Sequence, residues 1–417
     1  MSVASTGHRP RVLVIGGGLQ HVRKARELGL DVVLAQFPDE YDRSHWPYVD
    51  QALLLDYADV DRLLPLVRAV HEAYRLDAAV SLFELGLLPA ARVNEVLGLG
   101  GESVATVELL LDKARMRRHL ADVGVSPVAS AVGRSAQDVR EFVRVHGLPI
   151  IVKPIRESGS LGVFRVSDPA DVDVVADRFR SLEDGNWTTK DLSSADSFDE
   201  FLIEEFLDGP ELSVETLSFG GRHVVVAVTD KECDAGGFVE VGHAQPSGSS
   251  AETLHEVARL VTDFLDAVGL RNGPAHTEVK LTRGGPRIVE SHNRVGGDRI
   301  NELTEIVYGV DLERHALGAG VVEPLTTPPQ PRGGAAVRFL TPEPGRVVEV
   351  TGVDAVRADP ACVDVQVKVA PGNVVPPLTW NEDKVGHVVA RGATAAEAVA
   401  HGKRLAAAIH VRTEPVA

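Results

Sequence analysis

Residues 11–35 leave little choice of fold. Arg11-Val12-Leu13-Val14-Ile15 is a β-rich apolar run that ends in Gly16-Gly17-Gly18. Residues 19–28 then read as a helix with Gly29 as its stop, and Asp31-Val32-Val33-Leu34-Ala35 repeats the apolar run. A strand–helix–strand unit makes a parallel sheet. The pattern continues with a helix around 60–75, a strand at 78–82 and a helix around 88–97. Residues 1–108 are therefore expected to form a small doubly wound α/β domain.

The chain has 417 residues, too many for one core, and the pattern changes after the first domain. A helix at 108–123 carries Lys113, Arg115, Arg117 and Arg118. A small α+β domain, 109–200, is read from a helix at 136–146, strands at 149–154 and 163–166, and a helix at 169–181. Residues 183–198 are rich in Asp and Ser and are expected to form a mobile loop. Strands dominate a central domain, 201–328, with one helix at 252–268. Residues 324–334, rich in Pro and Gly, read as a linker into a β-rich C-terminal domain, 329–417. There, Thr394 and Glu397 form a capping-box pattern for a helix at 394–408. The fold class is α/β and α+β, multidomain.

A net charge of −17 argues against nucleic acid or an anionic membrane as partner. Cys233 and Cys362 are the only cysteines, so no disulfide framework is implied and a reducing cytoplasm fits. No apolar run approaches the roughly 18 residues of a membrane span, and residues 1–10 are too polar for a signal peptide.

The motifs sharpen this. Gly16-Gly17-Gly18 departs from a dinucleotide fingerprint: the third glycine position is His21, and no acidic residue ends the second strand at Gln36-Phe37. A structural turn or a contact to a small substrate fits better. Lys153 ends an apolar strand, and the loop with Ser158, Gly159, Ser160 and Gly162 is longer than a hairpin needs, so it suits an anion. Glu204-Glu205-Phe206-Leu207 reads as a strand running into a linker, and Glu211 shares a face with Ser213 and Glu215 in the next strand. Residues 276–293 read as a hairpin. A register symmetric about Gly284 sets Glu278 directly opposite Glu290. Opposed like charges repel, and a divalent cation removes the conflict, with Asn293 as a further hard oxygen ligand. On that basis Glu290→Gln should leave the melting temperature of the unliganded protein unchanged or higher. Arg294 suits a phosphate or a carboxylate, and Gly296-Gly297 could offer N–H groups to an anion.

In this order these residues resemble the ATP-grasp superfamily. Phe238-Val239-Glu240-Val241-Gly242-His243 and Asn293-Arg294-Val295-Gly296-Gly297-Asp298 are similar to the L-amino acid ligases and the carnosine-synthase-like carboxylate–amine ligases. The resemblance implies an ATP-grasp fold over nearly the whole chain. It implies ATP as co-substrate: Lys113 and Lys153 on its phosphates, Ser158 to Gly162 covering them, Glu204 to Leu207 at adenine and Glu211 at ribose. It implies magnesium, with manganese an acceptable substitute, on Glu278, Glu290 and Asn293. Glu240, His243, Arg294, Gly296, Gly297 and Asp298 would surround a carboxylate donor and an amine acceptor, with Lys153 and Arg294 in catalytic roles. The implied reaction is amide formation through an acylphosphate, releasing ADP and phosphate. A carboxylase-like or formyl-phosphate-using reaction is the nearest alternative, and a homodimer is left open.

Overall fold

Strands Arg11–Ile15, Asp31–Gln36, Gln51–Leu54 and Ala78–Val80 form a parallel sheet in which the first strand lies between the second and the fourth. The structure is a computed structural model that describes residues 9–175, 200–234, 238–318 and 320–416. Successive strand residues face opposite ways, and here the two faces enter different cores. Leu13, Ile15, Val33 and Ala35 pack with Leu63, Val67 and Val93 from the helices of the same domain. Val12, Val14, Val32 and Leu34 join a core with Leu217, Val226, Leu303, Val337 and Val389 from far along the chain. The sheet order reverses between the first and fourth strands, the place where open α/β sheets admit ligands. Gly16–Gly18 follow one of these strands and Ser81–Phe83 the other. The helix expected around 88–97 spans Glu84–Leu97, which brings Glu84 into its first turn.

The helix expected at 108–123 is two helices, Val104–Leu111 and Lys113–Val123. Asp112 separates them, and its side chain accepts from the Arg115 N–H at 2.9 Å, capping the second. Met116 and Leu120 of that second helix pack with Leu212, Val214 and Phe264 in the core of the central domain. The small domain is a four-stranded antiparallel sheet, in order Ser130–Gly133, Phe201–Glu205, Ile150–Pro154, Phe164–Val166, covered by helix Ala136–His146. Strand Phe201–Glu205 thus lies inside this sheet, beyond the boundary expected at 200. The 183–198 stretch, and residues 176–181 of the helix expected at 169–181, lie outside the described residues.

The central body is an eight-stranded antiparallel sheet. Its order is Gly285–His292, Gly273–Thr282, Glu211–Phe219, Arg222–Cys233, Glu240–Gln245, Gly334–Phe339, Gly386–Gly392, Cys362–Val367. The boundary expected at 329 therefore cuts across one continuous sheet, because Gly334–Phe339 pairs with Glu240–Gln245. A separate three-stranded sheet holds Val374–Val375, Gly345–Thr351 and His410–Glu414. Thr394 caps helix Ala395–Ala407: its hydroxyl accepts from the Glu397 N–H at 3.2 Å, and the Glu397 carboxylate accepts from the Ala393 N–H at 2.7 Å. No helix among the described residues is long and apolar enough to cross a membrane.

Helix Leu19–Glu27 is tied to the central body by charge. Glu313, on helix Leu312–Leu317, lies 2.8 Å from Lys24 Nζ and 3.4 Å from His21 Nε2. Burial pushes its carboxyl pKa up, but His21 and Lys24 outweigh burial and bring it down to about 2. A carboxylate depressed in the folded state contributes stability that is present above its unfolded value of 4.5 and is lost as pH falls through about 2. Glu313→Gln should therefore lower the melting temperature at neutral pH, and the gap to wild type should close as pH drops below 4.5. Calorimetric scans across that range check this; a gap that stays constant with pH would assign the loss to packing.

Candidate active site

The hairpin of Gly273–Thr282 and Gly285–His292 closes through Arg283-Gly284, with Thr282 opposite Gly285. Continued without a break, that register would set Glu278 against Val289. The register shifts by one residue after Val279, and beyond the shift Glu278 faces Glu290, Thr277 faces Ser291 and His276 faces His292. The opposition expected from the sequence is reached through a β-bulge rather than a turn symmetric about Gly284. A bulge disrupts ladder hydrogen bonds, and buried backbone carbonyls need donors. Arg117, only 2% exposed, brings them: Nη1 donates to the Ile288 carbonyl at 2.7 Å and Nη2 to that of Val289 at 2.8 Å. Its Nε donates to the Glu204 carboxylate.

Each opposed glutamate has its own ammonium. Lys113 Nζ lies 3.2 Å from Glu290 Oε2, and Lys231 Nζ contacts Glu278. Lys231 also lies 2.5 Å from Glu240 and 3.1 Å from Glu211. Burial lowers its pKa, but the three carboxylates raise it well above the ordinary lysine value. Burial raises the Glu278 carboxyl and Lys231 overrides it, leaving the group far below the usual range. Nothing in the Asp230-Lys231-Glu232 stretch distinguished Lys231 from a solvated charge. Its presence reverses one expectation. Repulsion between the glutamates is already offset by lysines, so removing the Glu290 charge leaves the buried Lys113 short of a partner instead of relieving strain.

Glu278 and Glu290 offer hard oxygens on one wall, a fit for magnesium. Asn293 does not join them. Its Nδ2 donates to the Pro274 carbonyl at 2.9 Å and to that of Asn272 at 3.3 Å, and it lines a separate cavity beside the N-terminal domain. The reason is alternation: Glu290 and His292 share a strand face, and residue 293 points the other way. His292 stands nearby, its Nδ1 3.0 Å from Glu84 Oε2 and its Nε2 3.8 Å from Glu290.

Two adjoining cavities meet at this wall. The first, about 360 Å³, is lined by Lys113, Lys153, Ser158, Gly159, Ser160, Glu204, Glu205, Phe206, Leu207, Glu211, Glu278 and Glu290. Lys153 Nζ lies 2.7 Å from Glu204 Oε2. Burial raises the Glu204 carboxyl, and Arg117 with Lys153 brings it down to about 2. The Glu204 side chain therefore fixes two cations. Arg165 lies over the Phe206 ring at 4.1 Å, and Glu211 Oε2 lies 3.1 Å from Lys280. In the glycine loop Gly159, Ser160 and Gly162 adopt φ of 64°, 64° and 66°. Gly162 shapes that turn without lining the cavity.

The second cavity, about 460 Å³, shares Ser158, Gly159, Glu240, Glu278, Glu290 and Asn381 with the first. Arg294, Gly296, Gly297 and Asp298 line it. Arg294 Nη2 lies 3.1 Å from Glu84 Oε2; burial lowers the guanidinium pKa, Glu84 raises it, and the net direction is up. Glu84 comes from the N-terminal domain and carried no sequence signal. Gly296 departs from expectation: its N–H donates to Glu215 Oε2 at 3.2 Å, so a buried carboxylate has already taken it. Gly297 stays open to the cavity. Asp298 Oδ2 is held by Lys384 Nζ at 2.5 Å. His243 also departs from expectation. It does not line this cavity but is buried behind Glu240, 3.2 Å from its Oε2, with Phe339 edge-on at 5.7 Å. Among the described residues two clusters have metal-like spacing, Glu211–Glu240–Glu278 and Glu240–His243–Asp298. Their carboxylates are already paired with the ammonium groups of Lys231 and Lys384.

Comparison with known proteins agrees with this architecture. Residues 22–101 match the ATP-grasp N-terminal domain, 146–302 the ATP-grasp domain and 338–414 the L-amino acid ligase C-terminal domain 2. The chain belongs to the ATP-grasp superfamily. It is 28% identical over 257 residues to the alanine–anticapsin ligase of Bacillus subtilis, covering 58% of this chain and 53% of that one. It is 27% identical over 351 residues to carnosine synthase 1 of Homo sapiens, covering 78% of this chain and 41% of that one. This ATP-grasp chain thus spans about half the length, or less, of these curated relatives. The crystal structure of an L-amino acid ligase from Bacillus licheniformis matches with a TM-score of 0.83 and 22% identity, over 97% of this chain and 99% of that one. At that identity the likeness is one of fold.

Two variants test how this ATP-grasp site is held together. Arg117→Met strips the bulge carbonyls and Glu204 of their donor. It should cost roughly 3 kcal/mol or more in denaturant unfolding, as for a broken buried ion pair, and weaken ATP binding with it. An unfolding midpoint equal to wild type would show that the bulge stands without Arg117. Glu290→Gln should melt below wild type without ligand, and a higher melting temperature would mean that repulsion, not the Lys113 pairing, dominates there.

Proposed function

We propose that this chain is an ATP-dependent carboxylate–amine ligase that forms a dipeptide-type amide bond through an acylphosphate and releases ADP and phosphate. One observation carries the reading: the two cavities share the wall that presents Glu278 and Glu290. A reaction that passes a phosphoryl group from a nucleotide to a second substrate needs that adjacency. The names of the relatives, an alanine–anticapsin ligase, a carnosine synthase and an L-amino acid ligase, support amino acids as both substrates.

In the first cavity Lys113 and Lys153 supply positive charge for the β- and γ-phosphates, and the N–H groups of Ser158 to Ser160 cap them. The Glu205–Leu207 backbone faces the adenine end, and Glu211 the ribose. Glu278 and Glu290 would hold magnesium, which when bound offsets the charge of the transferred group. In the second cavity a carboxylate oxygen of the donor attacks the γ-phosphorus, and the bond from that phosphorus to the ADP oxygen breaks. The acceptor amine then attacks the acyl carbon; the carbon–oxygen bond to phosphate breaks, and the amine proton leaves with the phosphate. Arg294, which Glu84 fixes, holds the donor carboxylate and then the oxyanion of that second step. Glu240 and Asp298, each already carrying one lysine, retain lone pairs for a substrate ammonium.

The experiment is a phosphate-release screen over pairs of free amino acids with magnesium and ATP, with mass detection of products. ADP, phosphate and an amide in equal amounts are expected. AMP with pyrophosphate would rule out the acylphosphate route, and ADP release driven by bicarbonate or formate would select the carboxylase-like or formyl-phosphate alternative.

A further inference from the structure

The glycine loop is held from two sides. The Ser160 hydroxyl donates to the Phe238 carbonyl at 2.7 Å, two residues before the strand that carries Glu240. On the other side the backbone N–H of Asn381 donates to the Gly159 carbonyl at 3.0 Å. Asn381 belongs to the C-terminal segment, more than two hundred residues further along the chain. Its side-chain Oδ1 accepts from the Glu240 N–H, also at 3.0 Å. It lines both cavities. Three residues later Lys384 holds Asp298 at 2.5 Å, with its ammonium 3.9 Å above the Phe339 ring. The short turn between them is rigid: the Asp383 carboxylate accepts from the Thr379 N–H at 2.7 Å, the Thr379 hydroxyl at 2.8 Å and the Trp380 N–H at 3.1 Å.

One rigid turn therefore touches the loop over the first cavity, the strand between the cavities and the loop that borders the second. We propose that Asn381 is a positioning residue that latches the glycine loop shut when the second cavity is organised, so that the acylphosphate meets the amine and not water. The physical basis is connectivity. Glu240 and Asp298 border the substrate space, and any shift of either moves the 381–384 turn. That turn holds Gly159 through a single backbone hydrogen bond, so displacing the turn leaves the loop on its Ser160 contact alone and lets it open. An open loop admits water, which attacks the acyl carbon in place of the amine; the carbon–oxygen bond to phosphate breaks, giving the free carboxylate, phosphate and a proton. The kinetic side of this proposal rests on the ligase reading, whereas the loop closure does not.

Two variants separate the contacts. Asn381→Ala loses the side-chain acceptor of the Glu240 N–H. Asn381→Pro loses that and the N–H to Gly159. Proline is compatible with the backbone there, because Asn381 opens the short helix Asn381–Asp383 and Trp380 before it is extended. The first measurement is hydrogen exchange at residues 156–163 with a non-hydrolysable ATP analogue and magnesium, without turnover. Exchange should be faster in both variants, by roughly fivefold per lost hydrogen bond of ordinary net strength. The second is phosphate released per amide formed. Wild type should be near one to one, and the variants should release excess phosphate by a similar factor. Exchange and stoichiometry both equal to wild type would overturn the proposal. If no amide forms with any amino acid pair, the ligase reading fails and the exchange result alone decides: faster exchange sustains the latch, unchanged exchange removes it. Should Asn381→Pro fail to fold, Asn381→Ala answers both measurements.

Discussion

A single buried guanidinium organises the reacting end of this molecule. Arg117 leaves a helix at the edge of the central core, satisfies the carbonyls of Ile288 and Val289, and ends on Glu204. Through the first pair it sustains the bulge that sets Glu290 against Glu278; through the second it fixes the carboxylate that orients Lys153. A planar fork with five donors can serve two strands at once, which a lysine cannot do. Both halves of the site, the phosphate side and the metal side, are thus referenced to one side chain buried in the wall of the first cavity.

Around that anchor the site is prepared electrostatically by its own lysines. Burying this many carboxylates is costly unless each is paired. Lys231 serves three of them, Lys113 serves Glu290 and Lys384 serves Asp298. The carboxylates are consequently paired and in position before any ligand arrives. A site built in this way does little reorganising when charge is transferred within it, the condition under which fixed groups stabilise a transition state most.

What could be read from the sequence was what depends on local pattern. Strand and helix periods marked most elements to within a few residues, and the Thr394 cap followed from spacing; the Glu278–Glu290 opposition was expected from a symmetric turn, whereas a bulge produces it. Pairing between distant segments escaped. Glu84, Arg117, Lys231 and Asn381 each have a partner 47 to 210 residues away, and each looks like a solvated polar residue in its own neighbourhood. The errors have the same origin. Asn293 was grouped with its neighbours by adjacency when the strand's alternation turns it away, His243 was assigned to a cavity it does not line, and the Gly296 N–H was offered to a ligand when Glu215 already accepts from it. The boundaries at 200 and 329 followed composition, whereas hydrogen-bonded sheets run across both.

The inner face of the N-terminal sheet has a consequence for anyone who would recombine this scaffold. Val12, Val14, Val32 and Leu34 complete a core whose other half comes from strands and helices between residues 217 and 389. The first hundred residues are thus not a cassette. A chimaera that exchanges them while keeping the recipient's Leu303, Val337 and Val389 joins two surfaces that were never shaped together, and volume mismatches in such cores are destabilising. Grafting would have to carry both sides of that seam, so the acceptable crossover points are set by packing across the molecule and not by the linkers visible along the chain.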